Sequence, residues 1–357
     1  MSGFWGNKFK VSIFGESHGK AIGIVLDGVP SGIELDFDYI NIEMQRRVPG
    51  TNRISSPRKE NDQYEIVSGV FNGKTTGTPL CVMIWNKNQH SKDYEALKDI
   101  MRPGHADYTG YVKYNGFNDY RGGGHFSGRL TAPIVFAGAI ARQILEKKGI
   151  TIGSHIKSIS RIYDDSFDPV NTTSDKLNTI RQKKFAVIND DKGLNMERAI
   201  IKAKEEKDSL GGIVETAILN LPTGIGAPFF DSVESRLSSI MFSIPGVKGV
   251  EFGAGFDIAN MKGSEANDEY YIENNEIKTY TNNNGGILGG ITNGMPVIFR
   301  TAIKPTPSIG KLQKTININK MTNTEVEIEG RHDPCIVPRA IPVVEAATAI
   351  AILDMII

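Results

Sequence analysis

The sequence predicts an α+β protein of two similar halves, folded as a layered sandwich with helices inside and β-sheets outside. Two internal echoes and one apolar segment carry that expectation. GIVLDGVPSGIELDFDYINIEMQRR near the start is echoed by GIVETAILNLPTGIGAPFFDSVESRLSSIM from Gly212, each reading as strand, Pro-Ser/Thr-Gly-Ile turn and helix. NGKTTGTPLCVMIWN from Asn72 is echoed by NGMPVIFRTAIKP from Asn293, in the same order along the chain. Two sheets that each carry helices on one face bury those helices best against one another. Chance likeness between short Gly-Pro turns is the alternative to duplication. The third observation is the segment from Ala340 to Ile357, whose small and branched apolar residues suit a buried helix. The halves fall at about 10–150 and 211–357 within one domain spanning 1–357.

Taken in order, KFKVSIFGESHGKAIGIVLDGVPSGIELD reads as a strand, a glycine-flanked polar turn, a second strand and a Pro-Ser-Gly turn. Phe37 to Arg47 reads as a helix with Asp36 as its N-cap. A histidine in a turn, such as His18, is ordinarily a surface residue. Its place beside Ser17 and between Gly15 and Gly19 makes it a candidate proton donor in a cleft. A basic segment follows, with Arg46, Arg47, Arg53, Arg58 and Lys59 broken by Pro49-Gly50 and with no local carboxylates to match it. A solvated face is one reading; guanidinium groups poised for phosphate or carboxylate are the other.

Arg102 to Arg129, RPGHADYTGYVKYNGFNDYRGGGHFSGR, shows no clean apolar period and reads as ordered loop. It carries His105, His125, Arg102, Arg121, Arg129 and three glycines, Gly122 to Gly124. Consecutive glycines forgo packing and cost backbone entropy, so they fit a place where bare N–H groups approach an anion. The stretch 154–210, rich in Lys, Asp, Glu and Asn, reads as a peripheral excursion with little chemistry and a helix at Asn195 to Lys207. Later come the glycine-rich NNNGGILGGITNG, a strand at Pro296 to Ala302, the turn from Lys304 to Ser308, and GRHDPC before the last helix. No strand–GxGxxG–helix context for a dinucleotide site is present. Arg331 and Asp333 either pair with each other or set Asp333 in a site as a base.

Charge is balanced, 41 basic residues against 41 acidic, so nothing draws the whole chain toward nucleic acid or membrane. Cys81 and Cys335 lie far apart with no signal peptide before them and are not spaced for zinc, which points to a reducing cytoplasm and no metal. Glu345 and Asp354 argue against a membrane span in the terminal segment.

Together GESHG, RPGHADYTG…RGGG…SGR, GGILGGITNG, KPTPS and GRHDPC, in this order, closely resemble the chorismate synthase family. The likeness covers essentially the whole chain. It implies a duplicated sandwich assembled as a homotetramer. It also implies anti-1,4 elimination of phosphate from 5-enolpyruvylshikimate 3-phosphate to chorismate, with reduced FMN required and no net redox change. By this resemblance His18 is the acid near the departing phosphate, His105 protonates the reduced flavin, Ser17 and Ser127 assist proton relay, and Asp333 works with flavin N5. Arg47 and Arg53 match arginines that grip the anionic substrate or a reducing nucleotide, and Arg102, Arg121 and Arg129 are further substrate candidates. FMN contacts are implied at His125, Phe126, Ser127, Pro245, Gly246, Gly289, Lys304, Pro305, Thr306, Pro307, Ser308 and Arg331.

The family often reads RGGGRSSARET where this chain has RGGGHFSGRLT, so His125, Phe126, Gly128 and Leu130 depart from it, as does Val48 in the basic run. These departures bear on the FMN contacts and spare His18, His105, Ser127, Arg129 and Asp333. No second domain for flavin reduction is evident, so an external flavin reductase is expected, with NADPH a candidate reductant. The competing readings are a flavin-dependent reductase, which would consume nicotinamide stoichiometrically, and a non-catalytic anion or nucleic-acid binder. Basic patches interleaved with aromatics on a nucleic-acid module, which the binder needs, are absent.

Overall fold

The computed structural model describes residues 3–48, 62–87, 97–328 and 333–357. A short edge strand, β1 (Phe4–Trp5), precedes β2 (Lys10–Gly15) and β3 (Ala21–Asp27). Helix α1 (Phe37–Arg47) begins where Asp36 accepts the Tyr39 N–H at 2.9 Å, the N-cap that the sequence anticipates. Strands β4 (Tyr64–Ser68) and β5 (Leu80–Trp85) complete an antiparallel sheet in the order β1-β2-β3-β5-β4. A short α2 (Asp107–Lys113) and the long α3 (Thr131–Glu146) lead into the second sheet.

The second sheet is built from β6 (Thr151–Ile159), β7 (Ile162–Tyr163), β8 (Gly212–Leu219), β9 (Val247–Phe252) and β10 (Val297–Ile303), in the order β9-β10-β8-β6-β7. Between β7 and β8 lie α4 (Ser174–Arg181) and α5 (Asp190–Glu205); α6 (Val233–Met241) precedes β9, and α7 (Val337–Ile356) closes the chain. The order β2-β3-β5-β4 thus has its counterpart in β6-β8-β10-β9, with α1 and α6 at equivalent points and α3 and α7 following each sheet. The echoed segments fall on these matched strands and helices.

The helices form the inner layer. Every residue of α3 from Thr131 to Leu145 is buried, and α3 packs on α7, on α1 and on β3, while α7 packs on β6 and β8. Gly138 shows how close the two long helices come: a Cβ there would lie 2.3 Å from Ala346 Cα. The acidic residues of α7 are buried, not solvated. Asp354 accepts the backbone N–H groups of Asn7, Lys8 and Phe9 at 2.8, 2.6 and 2.8 Å and pairs with Arg236. It therefore pins the N-terminal strand to the last helix. Among the described residues no helix is long and apolar enough to cross a membrane.

Several expectations are corrected. Residues 107–113, read as loop, are helical; only Gly110 of α2 is buried, so the helix presents no apolar face for a period to reveal. The excursion assigned to 154–210 starts later, because β6 spans Thr151–Ile159 and is paired and buried within the second sheet. The helix expected at Asn195 to Lys207 begins earlier, where Asn189 caps the N–H groups of Asp191 and Lys192. His155 on β6 is fully buried between Asp164 at 3.0 Å and Glu215 at 2.9 Å.

Candidate active site

A cleft of about 1140 Å3 opens where the first sheet, the loop after α2, the turn after β10 and the start of α7 meet. Ser17, Arg47, Arg102, His105, His125, Phe126, Ser127, Arg129, Pro245, Gly246, Asp333 and the whole turn from Lys304 to Ser308 line it. Six stretches distant in sequence therefore bring most of the anticipated residues to one place. His18 and Arg121 do not line this cleft; they line a shallower adjoining hollow with Gly19, Lys20, Trp85, Asn86 and Lys87. Gly289 is not among the cleft residues, since it sits on the hairpin turn between Ile287–Leu288 and Ile291–Thr292. Arg53 and Arg331, with Arg58, Lys59 and His332, lie outside the described residues.

The GESHG turn and the glycine loop are laced together. Ser17 N–H donates to Gly124 O at 3.1 Å, and His125 Nδ1 meets Gly15 O at 2.8 Å. Asn86, at the end of β5, donates to Glu16 O and Gly19 O at 3.1 and 3.0 Å and accepts Arg129 Nε at 3.3 Å. Gly122 has φ +59°, and a Cβ on it would come within 2.1 Å of His18 Nδ1 and 3.1 Å of Ser17 Oγ. A side chain at this left-handed position would be strained and would collide with both. Ser17 lines the cleft and His18 the adjoining hollow.

On the opposite side, His105 Nε2 and Ser308 Oγ share a 2.8 Å hydrogen bond, which ties RPGHAD to the turn after β10. Lys304 Nζ donates to Gly104 O at 2.6 Å, reinforcing the same junction. Burial, followed by the charge of nearby Lys248, holds the Lys304 ammonium below the usual lysine range. Thr306 Oγ1 is buried and has no hydrogen-bond partner among the described residues. Lys304 and the Thr306 hydroxyl, with Lys248 nearby on β9, make this corner of the cleft fit an anion.

The arginines are less free than their sequence context suggests. Arg102 forks onto Asp107 at 2.7 and 2.8 Å, and Arg121 onto Asp119 at 2.8 and 2.7 Å. The basic segment, read as lacking local carboxylates, has one in Glu43, which pairs with Arg46; its other partners are distant, Glu345 for Arg46 and Asp62 for Arg47, and Asp62 also pairs with Arg129. Asp333 pairs with Arg339, one helical turn into α7. Arg339 in turn donates Nε to Arg47 O at 3.0 Å. Asp62, Asn86, Lys248 and Arg339 were not singled out from sequence. Asn86 closes one of the echoed strands and Arg339 follows Asp333 by six residues, but nothing local marks Asp62. Burial alone would raise the Asp62 carboxyl, and the guanidinium groups of Arg47 and Arg129 reverse this and hold it below the usual range.

The family model described as chorismate synthase matches residues 9–357. A chorismate synthase of Dehalococcoides mccartyi is 49% identical over 355 residues, covering 99% of this chain and 96% of that protein. Those of Methanobrevibacter smithii and Methanocaldococcus jannaschii are 47% and 48% identical, each over 99% of this chain and 96% of the relative. A crystal structure of chorismate synthase superposes with TM-score 0.77 at 31% identity, covering 98% of this chain and 92% of that one.

Proposed function

The chain belongs to the chorismate synthase family, and we propose that the 1140 Å3 cleft carries out its reaction. The enzyme is a carbon–oxygen lyase that eliminates phosphate from 5-enolpyruvylshikimate 3-phosphate to give chorismate, a shikimate-pathway step on a small-molecule substrate. One observation carries the assignment to this cleft: proton-handling side chains, arginines and the anion-fitting turn converge on it from segments far apart in sequence. The family needs reduced flavin, and the residues fit one. The cleft exceeds the roughly 300–1000 Å3 of ordinary small-molecule pockets, enough for flavin and substrate together. Lys248, Lys304 and Thr306 offer a site for its phosphate. When bound, reduced FMN supplies electron density to the breaking C–O bond and takes up the ring proton, chemistry that no side chain offers.

The remaining work falls to this chain. Arg47 and Arg129 turn their cleft-side N–H groups to the substrate carboxylates, with Arg53 and Arg102 assisting. His105 and Ser308 form a two-member proton relay through Nε2 and Oγ, with Ser308 on the turn that would hold the cofactor phosphate. Ser17 relays protons in the cleft. On the adjoining hollow His18, with Lys20, Lys87 and Arg121 around it, offers a proton and positive charge to the leaving phosphate. Asp333, held by Arg339, would work with flavin N5, receiving from it the ring proton that the flavin takes up. Ser127 accepts the Arg129 N–H at 3.2 Å and is the second relay hydroxyl. His125, Phe126, Pro245, Gly246 and Arg331 complete the flavin contacts.

The enzyme acts in the cytoplasm as a homotetramer. Phe117, Phe229, Phe230 and Phe256, exposed by 84–92%, are apolar surface that assembly would cover. Its FMN is reduced externally by a flavin reductase, with NADPH as the electron source. The test is anaerobic incubation with chemically reduced FMN and the enolpyruvyl substrate. Chorismate and phosphate should appear one for one with no net flavin oxidation. Stoichiometric consumption of reductant without phosphate release would make the protein a reductase instead.

A further inference from the structure

Asp62 stands just before β4, behind the cleft wall and not on it, whereas both arginines it touches are on that wall. Its carboxylate is divided between them. Oδ2 takes Arg47 Nε at 3.1 Å together with Arg47 Nη2, and Oδ1 takes Arg129 Nη1. The other arginines of the loop differ, for Arg102 and Arg121 each have an aspartate within five residues to hold. Arg47 and Arg129 come from α1 and from the turn before α3, and one buried carboxylate joins them across 82 residues of chain.

Geometry makes the aim of these forks matter. Arg47 is only 2% exposed, so little of it reaches the cleft, and its remaining Nη1 edge has Thr131 Oγ1 at 3.4 Å as neighbour. A guanidinium has donors on fixed edges, and committing the Nε–Nη2 edge to Asp62 decides where the Nη1 edge faces. Arg47 also feels burial first and then the charges of Arg339 and Arg129, all pushing its pKa down, with Asp62 opposing them. Without that carboxylate, two guanidinium groups would repel each other at the spacing where the substrate must meet both.

We propose that Asp62 is a positioning residue for substrate recognition: it sets the separation and edge direction of Arg47 and Arg129, so that their outward N–H groups match the carboxylates of a dicarboxylate substrate. The inference rests on the reading that these two arginines bind substrate. A simpler role, a buried ion pair that only holds β4 to α1, makes a different prediction. So does a third, in which Asp62 occupies the arginines in place of the substrate and competes with it.

The test is steady-state kinetics of Asp62→Asn with reduced FMN, with thermal unfolding and FMN affinity measured alongside. Positioning predicts KM for the enolpyruvyl substrate raised about tenfold, with kcat and FMN affinity within about threefold of the parent. An unchanged KM with lowered thermal stability overturns the proposal, and a lowered KM identifies a competitor and overturns it too. If Asp62→Asn fails to fold, Asp62→Glu keeps the charge and lengthens the reach by one methylene. KM raised about threefold at constant kcat then agrees with positioning, and a KM equal to the parent's overturns it. Arg129→Gln separates the premise from the inference. If that variant keeps the parental KM, the arginines do not bind substrate and the site reading has failed, whatever Asp62 does.

Discussion

Arg46 and Arg47 are adjacent residues at the end of α1, yet they enter two charge clusters of different character. Arg46 Nη1 reaches Glu43 at 2.8 Å and Glu345 at 2.6 Å, where Arg142 also arrives at 3.1 Å and Arg181 joins through Glu43. Glu345 is 1% exposed and takes the Ser154 N–H at 2.9 Å, so this cluster ties α1, α3, α7 and β6 together away from the cleft. Arg47 meets Asp62 on the cleft side, beside Arg129 and Arg339. The same arginine–carboxylate chemistry therefore joins packed elements in one place and borders the cleft in the other. Direction decides which: residues one apart on a helix point about 100° away from each other.

The largest effect that could break this comparison is at Glu345. Burial would raise its pKa, and Arg46 and Arg142 overcome that and hold it ionised. Glu345→Gln leaves two buried guanidinium groups short of a charge and should cost about 3–5 kcal/mol of unfolding free energy. Urea denaturation measures it. Turnover per folded molecule should stay within about threefold of the parent; a collapse in turnover with stability retained would show that the two clusters are not separate in function.

His105 sharpens the contrast from the other side. His105→Ala should lower kcat by about a hundredfold or more at saturating substrate and reduced flavin. Its side chain is half-buried and joined to Ser308, so the folded state should lose no more than about 1 kcal/mol. A near-normal rate would remove His105 from the chemistry.

The smallest effect concerns His155, which is fully buried and does not line the cleft. Burial lowers its pKa, but the hydrogen bonds it donates to Asp164 and Glu215 outweigh this, and the native value is raised. A raised native pKa contributes stability that is fully present below the unfolded value of about 6.5 and is lost as pH rises through the native one. The urea midpoint should therefore decline with rising pH above neutrality, and His155→Gln should flatten that decline. A midpoint that rises over the same range in the parent would contradict the assignment.

Much of the architecture is carried by local pattern. The echoed strand–turn–helix segments, the Asp36 cap and the apolar run of α7 announce α+β halves with buried helices, because burial periodicity and capping are properties of a few consecutive residues. The motifs likewise point to Ser17, His105, Ser127, Asp333 and the turn from Lys304 to Ser308, since turn glycines and prolines mark where side chains must be held out of regular structure. Tertiary structure alone decides the rest. It gives Arg47 and Arg129 a shared Asp62, gives Asp333 an Arg339, sets His18 on the adjoining hollow and not on the main cleft, and makes β6 part of the second sheet. Each of these depends on which elements pack together. An ion pair between residues tens of positions apart leaves no period, cap or spacing in the sequence, because the distance that makes it exists only once the helices and sheets have closed on one another.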